Sequence, residues 1–485
     1  MTTPPAEPTR TEKDSMGEMQ VPESVLYGAS TQRAVLNFPM SGRPVPAQII
    51  RAFAMLKSAC AQTNARLGLL DQDRADAITS ACASIESGLE EHGGLDRNFP
   101  VDVYQTGSGT STNMNANEVI ANLVCLARGE AIGRSKDAAY IEKGGVHPND
   151  HANMGQSSND TFPTAMHVAA AIAIKEDLLP ALDLIGTELE AKARAWDDVI
   201  KIGRTHLQDA TPIRLGQEFS GYAAQIHHAK ERLHRSLHVL GELAIGGTAV
   251  GTGINTHPEF GALVAASLTE STGVHFREAA NHFEAQHAKD GYVEVSGDLK
   301  AIAVSISKIA GDIRLMGCGP RCGIGELKLP AVQPGSSIMP GKVNPVICES
   351  AVMACCRVIG NDAALTVGGL GGVGSLLDLN VAMPMMADAL LESITLMAAT
   401  CRMMSDHLIL DLEPDRERCA ELIEGSLAMC TSLAPVIGYD KAAALAKTAF
   451  DSGKTVREVA REMQVLDDAE LDRLLDPRAM TEPSA

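Results

Sequence analysis

From Val295 to Met316 apolar residues recur in an unbroken 4-3 alternation: Val295, Leu299, Ile302, Ile306, Ile309, Ile313 and Met316. That spacing keeps them on one face of an α-helix and does not fit a strand, whose faces alternate every second residue. Ala301, Ala303, Val304 and Ala310 occupy neighbouring positions, so the helix is expected to be buried nearly all round, at the centre of a bundle or an oligomer. The series Leu390, Ile394, Met397, Cys401, Met404, Leu408 has the same period, and so does Phe219, Ala223, Ile226, Leu233, Leu237, Leu240, interrupted by Lys230. A fourth helix is predicted to start at Asp160–Thr161–Phe162–Pro163 and run towards Trp196, with a kink or break at Pro180. Helices of about 20 residues or more at this period suit near-antiparallel bundle packing. Aromatic residues make up only 3% of the chain, against a β-sandwich or barrel. Beyond Leu410 the pattern changes to shorter helices, beginning near Pro414.

The 485 residues allow roughly three domains. Asp and Glu number 61 against 41 Lys and Arg, a formal charge of −20. That balance argues against nucleic-acid binding, which depends on neutralising phosphates, and against an anionic membrane surface. It leaves a small anionic substrate open, because a local pocket can oppose the global field. The eleven cysteines are scattered, with no C-x-x-C pair, which fits reduced thiols better than a disulfide framework or zinc ribbon. Residues 1–15 read as a flexible Pro/Thr/Glu-rich tail without the apolar core of a signal peptide. No apolar run approaches the ~18 residues of a membrane span, so a cytoplasmic protein is expected.

Four polar segments interrupt this framework. Pro334–Gly335–Ser336–Ser337–Ile338–Met339–Pro340–Gly341–Lys342–Val343–Asn344–Pro345 superficially resembles a phosphate-binding P-loop. Five residues separate its glycines instead of four, and Val343 follows the lysine, so that reading is rejected. What remains is either a solvated turn or a carboxylate site built from hydroxyls, an ammonium and a helix start. Gln105 to Asn113 is dense in hydroxyls, with Gly107 and Gly109 allowing close backbone approach, and is equally a turn or a site. Gln156–Ser157–Ser158–Asn159–Asp160 reads foremost as helix capping. Gly203 to Asp209 places His206 just ahead of a long helix, where a lone histidine is usually structural. Two histidine patterns are discounted as metal sites: His147 and His151 flank Pro148, which disfavours a helical zinc face, and His227, Glu231, His234 and His238 read as a solvated face.

Taken together, these segments resemble the class II fumarases of the fumarase/aspartase superfamily. The loop Gly335–Asn344 matches the superfamily signature, and the likeness runs from Met16–Gly17–Glu18 to Ile437–Gly438–Tyr439–Asp440. The resemblance implies a mainly α, three-domain protomer: a tail over 1–15, an N-terminal domain over 16–156, a central long-helix bundle over 157–410 carrying the loop 334–345, and a small helical domain over 411–485. It implies a homotetramer with active sites shared between three subunits, no cofactor, and no metal. The implied reaction is reversible anti addition of water to fumarate, a small dicarboxylate, giving (S)-malate. Ser336 would be the base at C3, with His206 and Glu349 paired to manage the leaving water. Lys342, Asn344 and Thr205 would hold one carboxylate. Ser108, Thr110, Ser157, Ser158 and Ser337 would donate to the other, with Gly109 and Val343 lining the site and Asn159 near the hydroxyl. His147, Pro148, Asn149 and Asp150 match a secondary anion site.

Aspartate ammonia-lyase is the nearest alternative. Gln105–Ser108, Ser158, Phe283–Glu284–Ala285 and Arg321–Leu327 look like fumarase, whereas Asn115–Asn122, Pro212–Ile213–Arg214 and Asn37–Phe38–Pro39 are similar to aspartases. The fumarase-like segments fall nearer the substrate groups and carry more weight. Gly368–Gly374 departs from both patterns. A non-catalytic helical scaffold is disfavoured, because Ser336, Lys342, Asn344 and His206 are all present.

Overall fold

The structure is a computed structural model that describes residues 7–335 and 337–483. In chain order its principal elements are β1 (Thr9–Asp14), β2 (Gly17–Pro22), α1 (Ala47–Arg66), α2 (Gln72–Glu86), α3 (Thr110–Ala127), α4 (Ser158–Ala173), α5 (Leu179–Ala195), β3 (Ile200–Thr205), β4 (Gln208–Arg214), α6 (Leu215–Leu240), α7 (Asp290–Met316), α8 (Val346–Gly369), α9 (Met383–Met404), α10 (Arg416–Glu424), α11 (Tyr439–Ser452), α12 (Val456–Glu462) and α13 (Asp468–Leu474). The protein is mainly α, and the described strands pair only two by two.

The three periodic series lie on α6, α7 and α9, with Leu408 in the π-type turn Ser405–Ile409 that continues α9. In α7, Val295, Leu299, Ile302, Ile306, Ile309 and Ile313 have no exposed surface and Met316 has very little. Burial is not complete round the helix, because Val304 is 56% exposed. The fourth predicted helix divides where Pro180 requires it. α4 ends at Ala173, one π-type turn covers Ile174–Leu178, and α5 begins with Pro180 in its first turn, where a missing N–H costs little. Residues 9–14, expected within a flexible tail, instead form β1, paired antiparallel to β2. Arg10 fastens this hairpin by donating to Glu12 and to the carbonyls of Pro22, Val25 and Tyr27. α8 is a continuous 24-residue helix long and apolar enough to cross a membrane by length and composition. The composition reading missed it because Glu349, Arg357 and Asp362 interrupt its apolar residues.

The chain gathers into two compact units: Met1–Pro180 with Glu231–Ala301 and Arg357–Met397, and Ala181–Lys230 with Ile302–Cys356 and Ala398–Ala485. In the first, α1 packs against α2 and α4, with the Phe53 and Phe162 rings 5.8 Å apart. In the second, Trp196 meets Phe219 edge-on at 4.7 Å. Its C-terminal helices share a hydrophobic cluster of their own, which includes Ile423, Leu433, Leu445, Val459 and Leu471.

Candidate active site

In the first unit the hydroxyl-rich loop runs into α3 and is pinned from two sides. Gly107 lies so close to Val381 that a Cβ would sit 1.7 Å from its carbonyl oxygen, and Met383 N donates to Gly107 O at 3.0 Å. Gly109 caps α3 with φ +75° against the Phe162 ring, where a side chain would collide. Gln105 Oε1 accepts from the backbone N–H and hydroxyl of Thr112, at 3.0 and 2.9 Å. These restraints place Ser108 Oγ 2.8 Å from Thr110 Oγ1, which is 2.7 Å from Ser158 Oγ at the start of α4. Segments 48 residues apart thus meet as a chain of three hydroxyls at two helix N-termini. Two internal hydrogen bonds use two of the three hydroxyl protons, leaving one donor in a field that favours an anion.

The capping reading of Gln156–Asp160 is also correct. Ser157 and Asp160 form a reciprocal capping box, in which Ser157 Oγ accepts from Asn159 N at 3.2 Å and keeps its own proton for donation. Asn159 Nδ2 donates to Ala249 O at 2.8 Å. His147 Nδ1 accepts from the N–H groups of Asn149 and Asp150, at 3.2 and 3.1 Å, within a π-type turn opened by Pro148. Burial holds the His147 imidazole below its usual range, opposed by Asp150. Among the described residues, no group of three or more His, Cys, Asp or Glu is placed to hold a metal.

The other predicted residues belong to the second unit. His206 does not sit directly before a helix. It occupies, with Leu207, the two-residue turn of the β3–β4 hairpin, and α6 starts only at Leu215. Both turn residues are left-handed, at φ 56° and 58°, and Thr205 and His206 are exposed at the tip. The loop around Lys342 closes at its base, since a Cβ on Gly335 would lie 1.4 Å from Lys342 O. Ser337, Lys342, Val343 and Glu349 are exposed, Asn344 is half-buried, and Lys342 N donates to Met339 O at 3.3 Å. Glu349 stands in the first turn of α8. Among the described residues, no hydrogen bond or ion pair joins His206 to Glu349. Ser336 lies outside the described residues.

Residues 17–360 match the lyase family, and 429–482 match the fumarase C C-terminus family. A class II fumarate hydratase from Corynebacterium glutamicum is 51% identical over 97% of this chain and 96% of its own length. One from Neisseria meningitidis is 48% identical over 98% and 99%. Among solved structures, a class II fumarase from Schistosoma mansoni superposes with a TM-score of 0.92 at 38% identity, covering 99% of this chain and all of that one. The chain belongs to the class II fumarases. A second neighbour, a fumarate lyase:delta crystallin from Brucella melitensis bound to cobalt, gives a TM-score of 0.91 at 42% identity, covering 98% of this chain and all of that one.

This fumarase carries a polar foundation that sequence reasoning missed. Lys57 is fully buried on α1 and donates to Asn153 Oδ1 and Gln156 Oε1, both at 2.8 Å. Asn113 and Asn117 of α3 donate to the same Asn153 oxygen, so Lys57 braces both hydroxyl-bearing segments from behind. Asp160 is equally buried and accepts from Ser157 N, Thr248 N and Gly246 N, at 2.9, 2.8 and 3.3 Å. Burial lowers Lys57 to about 8, and burial raises Asp160 to about 7 against those three N–H donors. The available signal was Lys57 sharing a helical face with Phe53, Leu56 and Cys60, a cation in an apolar stripe.

A stability profile tests this foundation. The unfolded Asp160 carboxyl loses its proton near 3.8 and the folded one near 7, so the native state binds the extra proton between those values. Stability is therefore expected to fall as pH rises from about 4 to 7, by at most about 4 kcal/mol from this group. In Asp160→Asn that decline should flatten, as read from Tm across the window. A wild-type slope retained in the variant contradicts the assignment.

Proposed function

We propose that this protein is a fumarate hydratase, adding water reversibly across fumarate to give (S)-malate. The observation that carries the reading is the Ser108–Thr110–Ser158 hydroxyl chain at two helix starts, in a chain 51% identical to an enzyme of that name. In the elimination direction a base takes the C3 proton, and negative charge grows on the adjacent carboxylate. Donors held in place before the charge develops lower that barrier most. The hydroxyls of Ser108, Thr110, Ser157 and Ser158, with Gly109 and Ser337, serve one carboxylate. Lys342, Val343, Asn344 and Thr205 hold the other, while Asn159 stands by the hydroxyl. Ser336 is the base, and His206 with Glu349 manages the water. His147, Pro148, Asn149 and Asp150 form a secondary anion site, where Pro148 opens a turn capped by His147.

The exposure of Thr205, His206 and Glu349 on this chain supports a site that other subunits complete, as the family resemblance implies. Exposed Val304 and Met353 (56% and 67%), on helices whose opposite faces are buried, support self-association along these helices, which we read as the homotetramer that the family resemblance implies. Aspartate ammonia-lyase remains the competing activity, and the class II fumarase relatives weigh against it.

Fumarate absorbance with malate or aspartate, in the presence of a chelator, tests the reaction. Fumarate should form from malate, persist with the chelator, and not form from aspartate; release from aspartate alone reverses the assignment. Ser336→Ala should lower kcat about 10²–10⁴-fold with the assembly intact, and unchanged turnover excludes it as the base. Val304→Glu should dissociate the tetramer in light-scattering chromatography. A tetramer that survives this charge places the interface elsewhere.

A further inference from the structure

The β3–β4 hairpin is anchored by charges that no exposed ion pair could replace. Glu326 has no exposed surface, and its backbone is fixed at both ends: its N–H donates to Met316 O at 2.9 Å, and its carbonyl accepts from Asp415 N at 2.8 Å. Its carboxylate receives Arg204, whose Nη1 lies 2.9 Å from each oxygen, and Lys201, whose Nζ lies 3.4 Å away. Lys201 is buried too, with a second carboxylate, Glu218, at 3.0 Å and a hydrogen bond to Ile202 O at 2.9 Å. Both cations project from β3, and Arg204 is covalently next to Thr205 and His206. Between them the hairpin register shifts at Gly203, where a Cβ would lie 2.7 Å from Thr211 O. Such an irregularity re-aims the strand beyond it.

We infer that Glu326 is a positioning residue for the hydratase reaction: through Arg204 and Lys201 it sets the depth and direction at which the hairpin presents Thr205 and His206. The inference rests on the proposed role of His206. Charge-assisted contacts out of water are stiff, and removing Glu326 takes the carboxylate from Arg204 and leaves Lys201 with Glu218 alone. Among the described residues, no side-chain hydrogen bond or ion pair holds Thr205 or His206, so the tip's position depends on the buried end of β3. A displacement of about 1 Å at a reacting group costs about a hundredfold in rate.

A kinetic cycle on the assembled enzyme tests this. Glu326→Gln and Arg204→Lys, which keeps the charge but loses the bridging geometry, should each lower kcat/KM for malate about ten- to a hundredfold. The shape of the kcat/KM pH profile should change in both variants, which a loss of stability alone would not produce. His206→Asn suits the left-handed turn and removes the imidazole. In that background, adding Glu326→Gln or Arg204→Lys should cost less than threefold further, because the group they aim is gone. Losses that multiply instead mean that Glu326 acts on folding in general, and overturn the inference. An unaltered kcat/KM in both anchor variants does the same. If His206→Asn alone leaves turnover unchanged, the role of His206 fails first and the inference falls with it. Should Glu326→Gln not fold, Arg204→Lys carries the cycle alone.

Discussion

A helix of 27 residues is about 40 Å long, and burying one apolar stripe from end to end requires neighbours of similar length. That requirement, set by α7, explains why α6, α8 and α9 are also long and why strands are confined to short pairs. It also dictates where chemistry can sit. The middle of a long packed helix offers no free N–H or C=O, whereas its first turn offers unpaired donors and a positive field. Most of the predicted substrate groups accordingly lie at the starts of α3, α4 and α8 or in the loops that precede them, whereas Thr205 and His206 lie on the β3–β4 hairpin.

Elements with their own periodicity were legible before the structure. α6, α7 and α9 follow from residue spacing, and the capping at Ser157 from the order of polar residues. The resemblance to class II fumarases is matched by relatives spanning nearly the whole chain. What escaped was structure imposed from a distance. The β3–β4 turn carries neither Asn-Gly nor Asp-Gly, so nothing local announces a two-residue hairpin. β1 sits in a Thr/Glu/Lys-rich stretch with few apolar residues, and its order comes from Arg10 reaching carbonyls up to 17 residues away. The meeting of Ser108, Thr110 and Ser158 depends on tertiary packing that periodicity does not encode.

The formal charge of −20 likewise describes the wrong scale for function. Each unit holds its important charges inside. Lys57 and Asp160 are buried behind the hydroxyl chain of the first, and Lys201, Arg204 and Glu326 lie beneath the hairpin of the second. Buried charges of this kind contribute little net stability compared with apolar packing, but they are intolerant of displacement. They are suited to fixing where a neighbouring group points, and the surface charge is free to serve solubility.

The left-handed pair at the hairpin tip has an evolutionary corollary. A branched Leu and a His at positive φ each cost about 1 kcal/mol relative to glycine or asparagine, which would occupy the same turn without strain. Drift under selection for stability alone would therefore erode this dipeptide towards Asn-Gly. Five other described non-glycine residues, Leu89, Thr248, Asn255, Leu377 and Gln464, also have positive φ, but only at His206–Leu207 are two of them adjacent, which concentrates the strain in a single turn. In uncharacterised helical proteins, a mismatch of this sort between backbone conformation and side chain can be searched for directly, without any motif.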